Sequence, residues 1–221
     1  MSMTDIDQPE PAPSTDDTRE QPQASAPPKR RRTAADLALI AVFAALIAVC
    51  ALLPAISVGG LVPITLQTFA VLLAGAVLGA RRGFIAVLLY LAVGAIGLPA
   101  FSGGAAGIAP FMGPSAGYLI AFPLAAALCG FIVERLPRKS IATSIPLIFL
   151  AGFASSIVFI HTLGPLGMAL FGGLEIPQAF AADLAFYPGD IIKNILMAIV
   201  ATAVHRAFPT LLPVREKART H

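Results

Sequence analysis

The sequence predicts an all-α integral membrane protein: a bundle of six transmembrane helices with both termini in the cytoplasm. Three observations carry that expectation. Of the 221 residues 57% are hydrophobic and 12% charged, and the mean hydropathy is +0.83, whereas soluble domains carry roughly 25% charged residues. Six apolar segments follow one another, most of them near the ~20 residues that cross a bilayer. Basic residues fall only in alternate connections, the asymmetry that orients membrane helices.

The first 28 residues are rich in Pro, Gln, Asp, Glu, Ser and Thr. They hold too little apolar surface to offset chain entropy and are expected to be disordered. They are no secretory signal, because the charged and apolar parts come in the wrong order. Lys29-Arg30-Arg31-Arg32 then stands directly before the first span and reads as an anchor that keeps the N-terminus inside. The expected organisation is a disordered cytoplasmic extension over 1–33, a transmembrane domain over 34–208 and a basic cytoplasmic tail over 209–221.

The spans are placed at 36–56, 64–80, 84–98, 115–133, 144–163 and 190–208, the third being short, as for a tilted helix. With the N-terminus inside, Arg81, Arg82, Arg135, Arg138, Lys139, Arg206, Arg215, Lys217 and Arg219 all lie on the cytoplasmic side. The outer segments 57–63, 99–114 and 164–189 contain no Lys or Arg. Lys193 is the one basic residue that this topology leaves off the cytoplasmic side.

Lys193 shares a helix face with Asp190, three residues before it. Charges at membrane depth cost several kcal/mol unless paired or wetted, so they point to function; an interfacial ion pair that only fixes helix depth is the plainer alternative. Gln67, in the first turns of the second span, can donate and accept hydrogen bonds near the same depth, or simply join helices. Tyr90, mid-span in the third helix, can reach the same cavity or pack with a satisfied hydroxyl. Pro63, Pro114 and Pro188 stand at the starts of the even-numbered helices, where a missing N–H is harmless. If those helices pack together, their positive ends converge and favour an anionic group. The loop over 98–107 is uncharged and glycine-rich, and reads as a lid over a pocket or as a loop resting on headgroups.

Other features read as structural. Cys50 and Cys129 sit in separate apolar runs, as small core residues. His161 and His205 lie at opposite depths without a carboxylate or cysteine at ligand spacing, so neither is assigned a function and no metal is expected. Alanines four apart in the first helix, among Ala38, Ala41, Ala44, Ala45 and Ala48, make a smooth stripe for a close helix contact. No nucleotide-binding loop, nucleophile elbow or zinc-protease motif occurs, and nucleic acid is not implied, since the basic clusters are short and flank apolar spans.

Five stretches together resemble one family. They are Pro63-Ile64-Thr65-Leu66-Gln67-Thr68-Phe69, Gly79-Ala80-Arg81-Arg82-Gly83, Gly97-Leu98-Pro99-Ala100-Phe101, Gly113-Pro114-Ser115-Ala116-Gly117-Tyr118 and Pro188-Gly189-Asp190-Ile191-Ile192-Lys193. Their order resembles the biotin-specific substrate-binding (S) component of energy-coupling factor (ECF) transporters, the BioY family, over about Asp36 to Phe208. The resemblance implies high-affinity biotin capture from outside. It also implies two kinds of partner: a transmembrane coupling (T) component, and ATP-binding cassette ATPases that use the ATP, so that the chain needs no cofactor of its own. It implies no catalytic residues. By similarity Asp190 and Lys193 belong to the substrate site, with Gln67 and Tyr90 beside it, and the alanine stripe docks the coupling partner.

The ligand chemistry is compatible. Biotin offers ureido N–H donors, a carbonyl, a thioether ring and a carboxylate. Asp190 is expected to accept ureido N–H while Lys193 donates to an oxygen; Phe101 and Val62 would cover the apolar parts, and backbone N–H groups at Gly103 and Gly104 or a helix start would meet the carboxylate. A pose with the carboxylate on Lys193 is equally compatible. The main alternative is a stand-alone proton-coupled secondary transporter of a small vitamin or other carboxylate, with Asp190 as proton relay. More distant are an intramembrane enzyme built on Ser155, Ser156 and His161, and a purely structural subunit.

Overall fold

The computed structural model describes residues 29–56, 61–137 and 144–212, with side chains from residue 33 onward. The extension over 1–28, the side chains of the basic cluster at 29–32, and Arg138, Lys139, Arg215, Lys217 and Arg219 lie outside the described residues.

The described chain is all-α. Its helices are α1 (Lys29–Leu52), α2 (Gln67–Leu78), α3 (Ala80–Ala95), α4 (Ala116–Arg135), α5 (Ile145–Ser155), α6 (His161–Gly172), α7 (Ile176–Asp183) and α8 (Tyr187–Ala207). A π turn over Ser156–Ile160 joins α5 to α6 without a break. No strand occurs among the described residues; Ile56 and Ile64 exchange backbone hydrogen bonds of 2.9 and 3.0 Å in one isolated antiparallel bridge. Four runs are long and apolar enough to cross a membrane: Thr33–Leu52, Ala116–Arg135, Ile145–Gly172 and Ile176–Ala207. α2, with 12 residues, and α3, with 16, are shorter.

α4 is the central helix and packs on α2, α3, α5 and α6, while α8 packs on α2 and α5, and α1 closes the side formed by α2 and α3. Small residues make this possible. Ala121, Ala125, Ala126 and Cys129 of α4 are fully buried, as are Ala70, Ala74 and Ala76 of α2. A Cβ on Gly117 would overlap the carbonyl oxygen of Leu163 in α6, and one on Gly167 would overlap the Gly117 backbone. Close backbone approach replaces hydrophobic driving force where the surroundings are themselves apolar.

Several boundaries differ from the sequence reading. α2 begins at Gln67, because Pro63 to Leu66 run as an irregular approach segment held by the Ile64 bridge and by Thr65, whose hydroxyl accepts the Gln67 N–H at 3.3 Å. Of the three prolines, Pro188 alone sits in a first helical turn; Pro63 and Pro114 precede their helices. Gly79 alone joins α2 to α3, at φ +86°, so Arg81 and Arg82 ride on the first turn of α3 rather than in a loop. The segment over 164–189, read as an outer connection, is largely helical. Gly164-Pro165 imitates a stop, yet the helix runs on to Gly173, whose left-handed φ of 72° ends it. Glu175 and Gln178 then form a capping box that starts α7. Leu212 is buried in the core, so the packed domain extends past Phe208 into the segment read as tail.

The end opposite the cavity is tied by charge. Arg82 pairs with Asp36 of α1 at 2.9 Å, donates to the Leu78 carbonyl at 3.0 Å and donates to the Leu211 carbonyl. The Glu134 carboxylate accepts the Ala80 N–H at 2.9 Å.

Candidate substrate site

At the end of the bundle where α2, α4 and α8 begin, the described residues line a half-open cavity of about 480 Å³, inside the range of roughly 300–1,000 Å³ typical of small-molecule sites. The three helix starts after Pro63, Pro114 and around Pro188 meet at this cavity, the arrangement expected for the case in which those helices pack together. One part of the wall is apolar: Leu61, Val62, Phe101, Ala105, Ala106 and Pro110. Gln67, Thr68, Tyr118, Asp190 and Lys193 make the wall polar elsewhere.

The predicted pair is formed. Lys193 Nζ donates to Asp190 Oδ1 at 2.7 Å and to the Thr68 hydroxyl at 3.2 Å. Thr68 in turn donates to the same carboxylate oxygen at 3.1 Å. Asp190 is 3% exposed, deep enough that an uncompensated charge there would cost several kcal/mol, and the Lys193 and Thr68 contacts supply the compensation. Asn194, one turn on, donates its amide to the Asp190 carbonyl at 2.9 Å.

Gln67 and Tyr90 are brought together as expected, but only one of them faces the cavity. The Gln67 amide donates to the Tyr90 hydroxyl at 2.8 Å. Gln67 forms wall; Tyr90 is buried behind it and packs edge-on against Phe101, ring centroids 5.6 Å apart. Phe101 faces the cavity and folds back over Gly94, where a Cβ would strike its ring. Gly103 and Gly104 do not line the cavity, which corrects the expectation for them. Both lie exposed at the loop tip, at φ +68° and +78°, and their neighbours Ser102, Ala105 and Ala106 form the wall instead. The alanine stripe of α1 also divides. Ala38, Ala41 and Ala45 are exposed on the outer face, Ala48 is half-buried, and Ala44 turns inward to the core with Ile40, Ile47 and Ala51, because residues three and four apart share a face. Ala44 therefore serves packing within the bundle.

His161 and Asp183 are the residues that the sequence reading missed. His161 Nδ1 donates to Asp183 Oδ2 at 2.8 Å, and Nε2 stands 3.3 Å from Asp190 Oδ2, close but out of line for a hydrogen bond. The Tyr118 hydroxyl donates to Asp183 Oδ1 at 2.6 Å, and the Tyr187 ring lies over the imidazole at 4.3 Å. A continuous polar chain thus runs Tyr118–Asp183–His161–Asp190–Lys193. His205, in contrast, caps the Ala76 carbonyl at 2.9 Å, a packing role. Ser155 returns its hydroxyl to the Ala151 carbonyl at 2.7 Å and forms no nucleophile–base pair with His161. Among the described residues no group of His, Cys, Asp and Glu is arranged to hold a metal ion.

Apolar spanning helices around a half-open, partly polar cavity define a multi-pass membrane protein with a pocket of small-molecule size. The chain belongs to the BioY family, whose sequence profile matches residues 21–210, starting before the Asp36 at which the sequence resemblance begins. It is 44% identical over 183 residues to the biotin transporter BioY of Rhizobium etli, covering 81% of this chain and 97% of that one. It is 41% identical over 192 residues to the biotin transporter BioY of Rhodobacter capsulatus, covering 81% and 98%. Among solved structures, the S-component for biotin from an ECF-type ABC transporter superposes with a TM-score of 0.75 at 29% identity, covering 81% of this chain and 95% of that one.

Proposed function

We propose that this protein captures biotin in the cavity beside Asp190 and Lys193 and delivers it across the cytoplasmic membrane as the substrate-specific component of an ECF-type ABC transporter. The observation that carries the reading is a buried acid paired with a half-buried base on the wall of a small-molecule-sized cavity, in a chain of the BioY family. In this reading the membrane is crossed six times, by α1, α2, α3, α4, the α5–α6 run and the α7–α8 run, with both termini cytoplasmic and the cavity outward. The arginine-free cavity end and the Arg82–Arg135 end support that orientation. Asp190 accepts ureido N–H, Lys193 and Gln67 donate to ligand oxygens, and Phe101 and Val62 cover the apolar rings and tail. Contacts assigned by sequence to Gly103 and Gly104 pass to Ser102 and the adjoining wall. The chain performs transport, not catalysis. The T component and ATPases supply the energy, and the exposed Ala38, Ala41 and Ala45 offer the smooth surface for docking.

Equilibrium binding of biotin to the purified full chain tests the reading. Tight binding that Lys193→Ala and Asp190→Asn abolish in folded protein is the expected result. A folded wild-type protein that binds no biotin overturns it. Uptake that requires the T component and ATPases, rather than a proton gradient alone, separates this reading from a proton-coupled carrier.

A further inference from the structure

We infer that His161, held by Asp183, is a positioning residue for the ligand site: it fixes the Asp190 carboxylate so that Oδ1 alone is left for Lys193, Thr68 and the ligand. The inference rests on the proposed role of Asp190 in binding. Three observations carry it. The imidazole stands between two carboxylates, 2.8 Å from Asp183 and 3.3 Å from Asp190, one ring nitrogen towards each. All three side chains are almost wholly buried, and Asp183 is itself anchored by the Tyr118 hydroxyl. The segment before His161 is a π turn, in which the His161 N–H reaches the Ser156 carbonyl five residues back; such single wide turns cluster at functional sites.

The alternatives for these groups are weaker. A tie that served folding alone would need neither the second carboxylate nor contact with a wall residue, yet Oδ2 of Asp190 has the imidazole as its neighbour while Oδ1 takes both other contacts. A carboxylate free to rotate on its Cβ–Cγ bond would present either oxygen to the cavity. With Oδ2 at ion-pair distance from His161, 3.3 Å, and Oδ1 hydrogen-bonded to Lys193 and Thr68, the geometry that a ligand N–H meets is set before it arrives, and preorganisation of this kind improves affinity by reducing the ordering needed on binding. The titratable and charged groups facing His161 among the described residues are Tyr118 from α4, Asp183 from α7, and Tyr187, Asp190 and Lys193 from α8.

The test measures biotin dissociation constants and thermal unfolding midpoints for the full chain carrying His161→Phe, His161→Gln or Asp183→Asn, beside wild type. At metal sites, side chains that orient a ligating residue change affinity by about 10–100-fold when replaced, and an effect of the same order is expected for a side chain that orients Asp190. His161→Phe, which keeps the ring and removes both nitrogens, is expected to weaken biotin binding by about that factor. His161→Gln, whose amide can still reach Asp190, is expected to recover most of the loss, and Asp183→Asn to weaken binding less than His161→Phe. Wild-type affinity in folded His161→Phe, whatever its midpoint, overturns the inference and leaves a purely structural tie. If His161→Phe does not fold, Asp183→Asn decides: wild-type affinity in that folded variant overturns the inference, and weakened binding supports it. A wild-type protein that binds no biotin removes the functional reading itself and this inference with it, an outcome distinct from insensitivity of the variants.

Discussion

Lys193 and Asp190 stand one helical turn apart with Nζ 2.7 Å from Oδ1, and the pair faces a cavity rather than lipid or solvent. Its energetics differ from those of a surface ion pair. Removing one partner of a buried pair leaves the other uncompensated, a cost of about 3–5 kcal/mol, whereas removing both is often neutral. Lys193→Ala is therefore expected to lower the unfolding midpoint and abolish biotin binding. Lys193→Met with Asp190→Asn is expected to regain most of the stability but none of the binding. Calorimetric unfolding and binding of the three proteins check this.

Tyr90 lies behind the wall, yet it accepts the Gln67 amide. Tyr90→Phe keeps the edge-on packing with Phe101 and removes the acceptor. A single hydrogen bond contributes about 1 kcal/mol, so stability should fall by that order. The freed Gln67 amide should lower biotin affinity by about fivefold. Isothermal titration of the variant measures the second effect.

The α4–α6 contact is backbone on backbone at Gly117 and Gly167. Gly117→Ala must separate the helices, and overpacking of this kind costs about 1–3 kcal/mol. The same shift would carry Tyr118 away from Asp183. Reduced stability together with weakened biotin binding is the expected outcome. Gly103→Ala, strained by its φ of +68° but with open space around it, should leave binding unchanged.

Arg82 gathers α1, α3 and the segment at Leu211, far from the cavity. Arg82→Ala is expected to reduce stability, because two backbone carbonyls and Asp36 lose a donor, while the biotin dissociation constant stays at the wild-type value. Side-by-side unfolding and binding curves separate the two quantities.

Much of the bundle was legible because lipid-facing helices declare themselves through unbroken apolar runs, and because Asp190 and Lys193 are local neighbours on one helix. The missed half of the polar chain is non-local. His161 precedes Asp183 by 22 residues, and between them lie Gly164-Pro165, which imitates loop punctuation, and a true helix end at Gly173. Continuation of the helix through Gly164-Pro165 accompanies the packing of α4 against Gly164 and Gly167, a tertiary effect that a local reading does not contain. Ala44 was misassigned for a related reason: a repeat of four marks a stripe, but which side of the stripe meets the core is decided by Ile40, Ile47 and Ala51.

The π turn at Ser156–Ile160 makes chain length a functional quantity in this protein. An α-helix advances about 100° per residue, and a wide turn absorbs one residue beyond the regular count. That slack is used up by the residue already there: one more inserted residue would lengthen the run by only about 1.5 Å, little against the thickness it spans, yet would swing everything from His161 to Gly172 by about 100° and face the imidazole away from both aspartates. Within this helix the phase of the spiral is constrained more tightly than the identity of many residues on it, so a further one-residue insertion would do more damage than a conservative substitution at the same place.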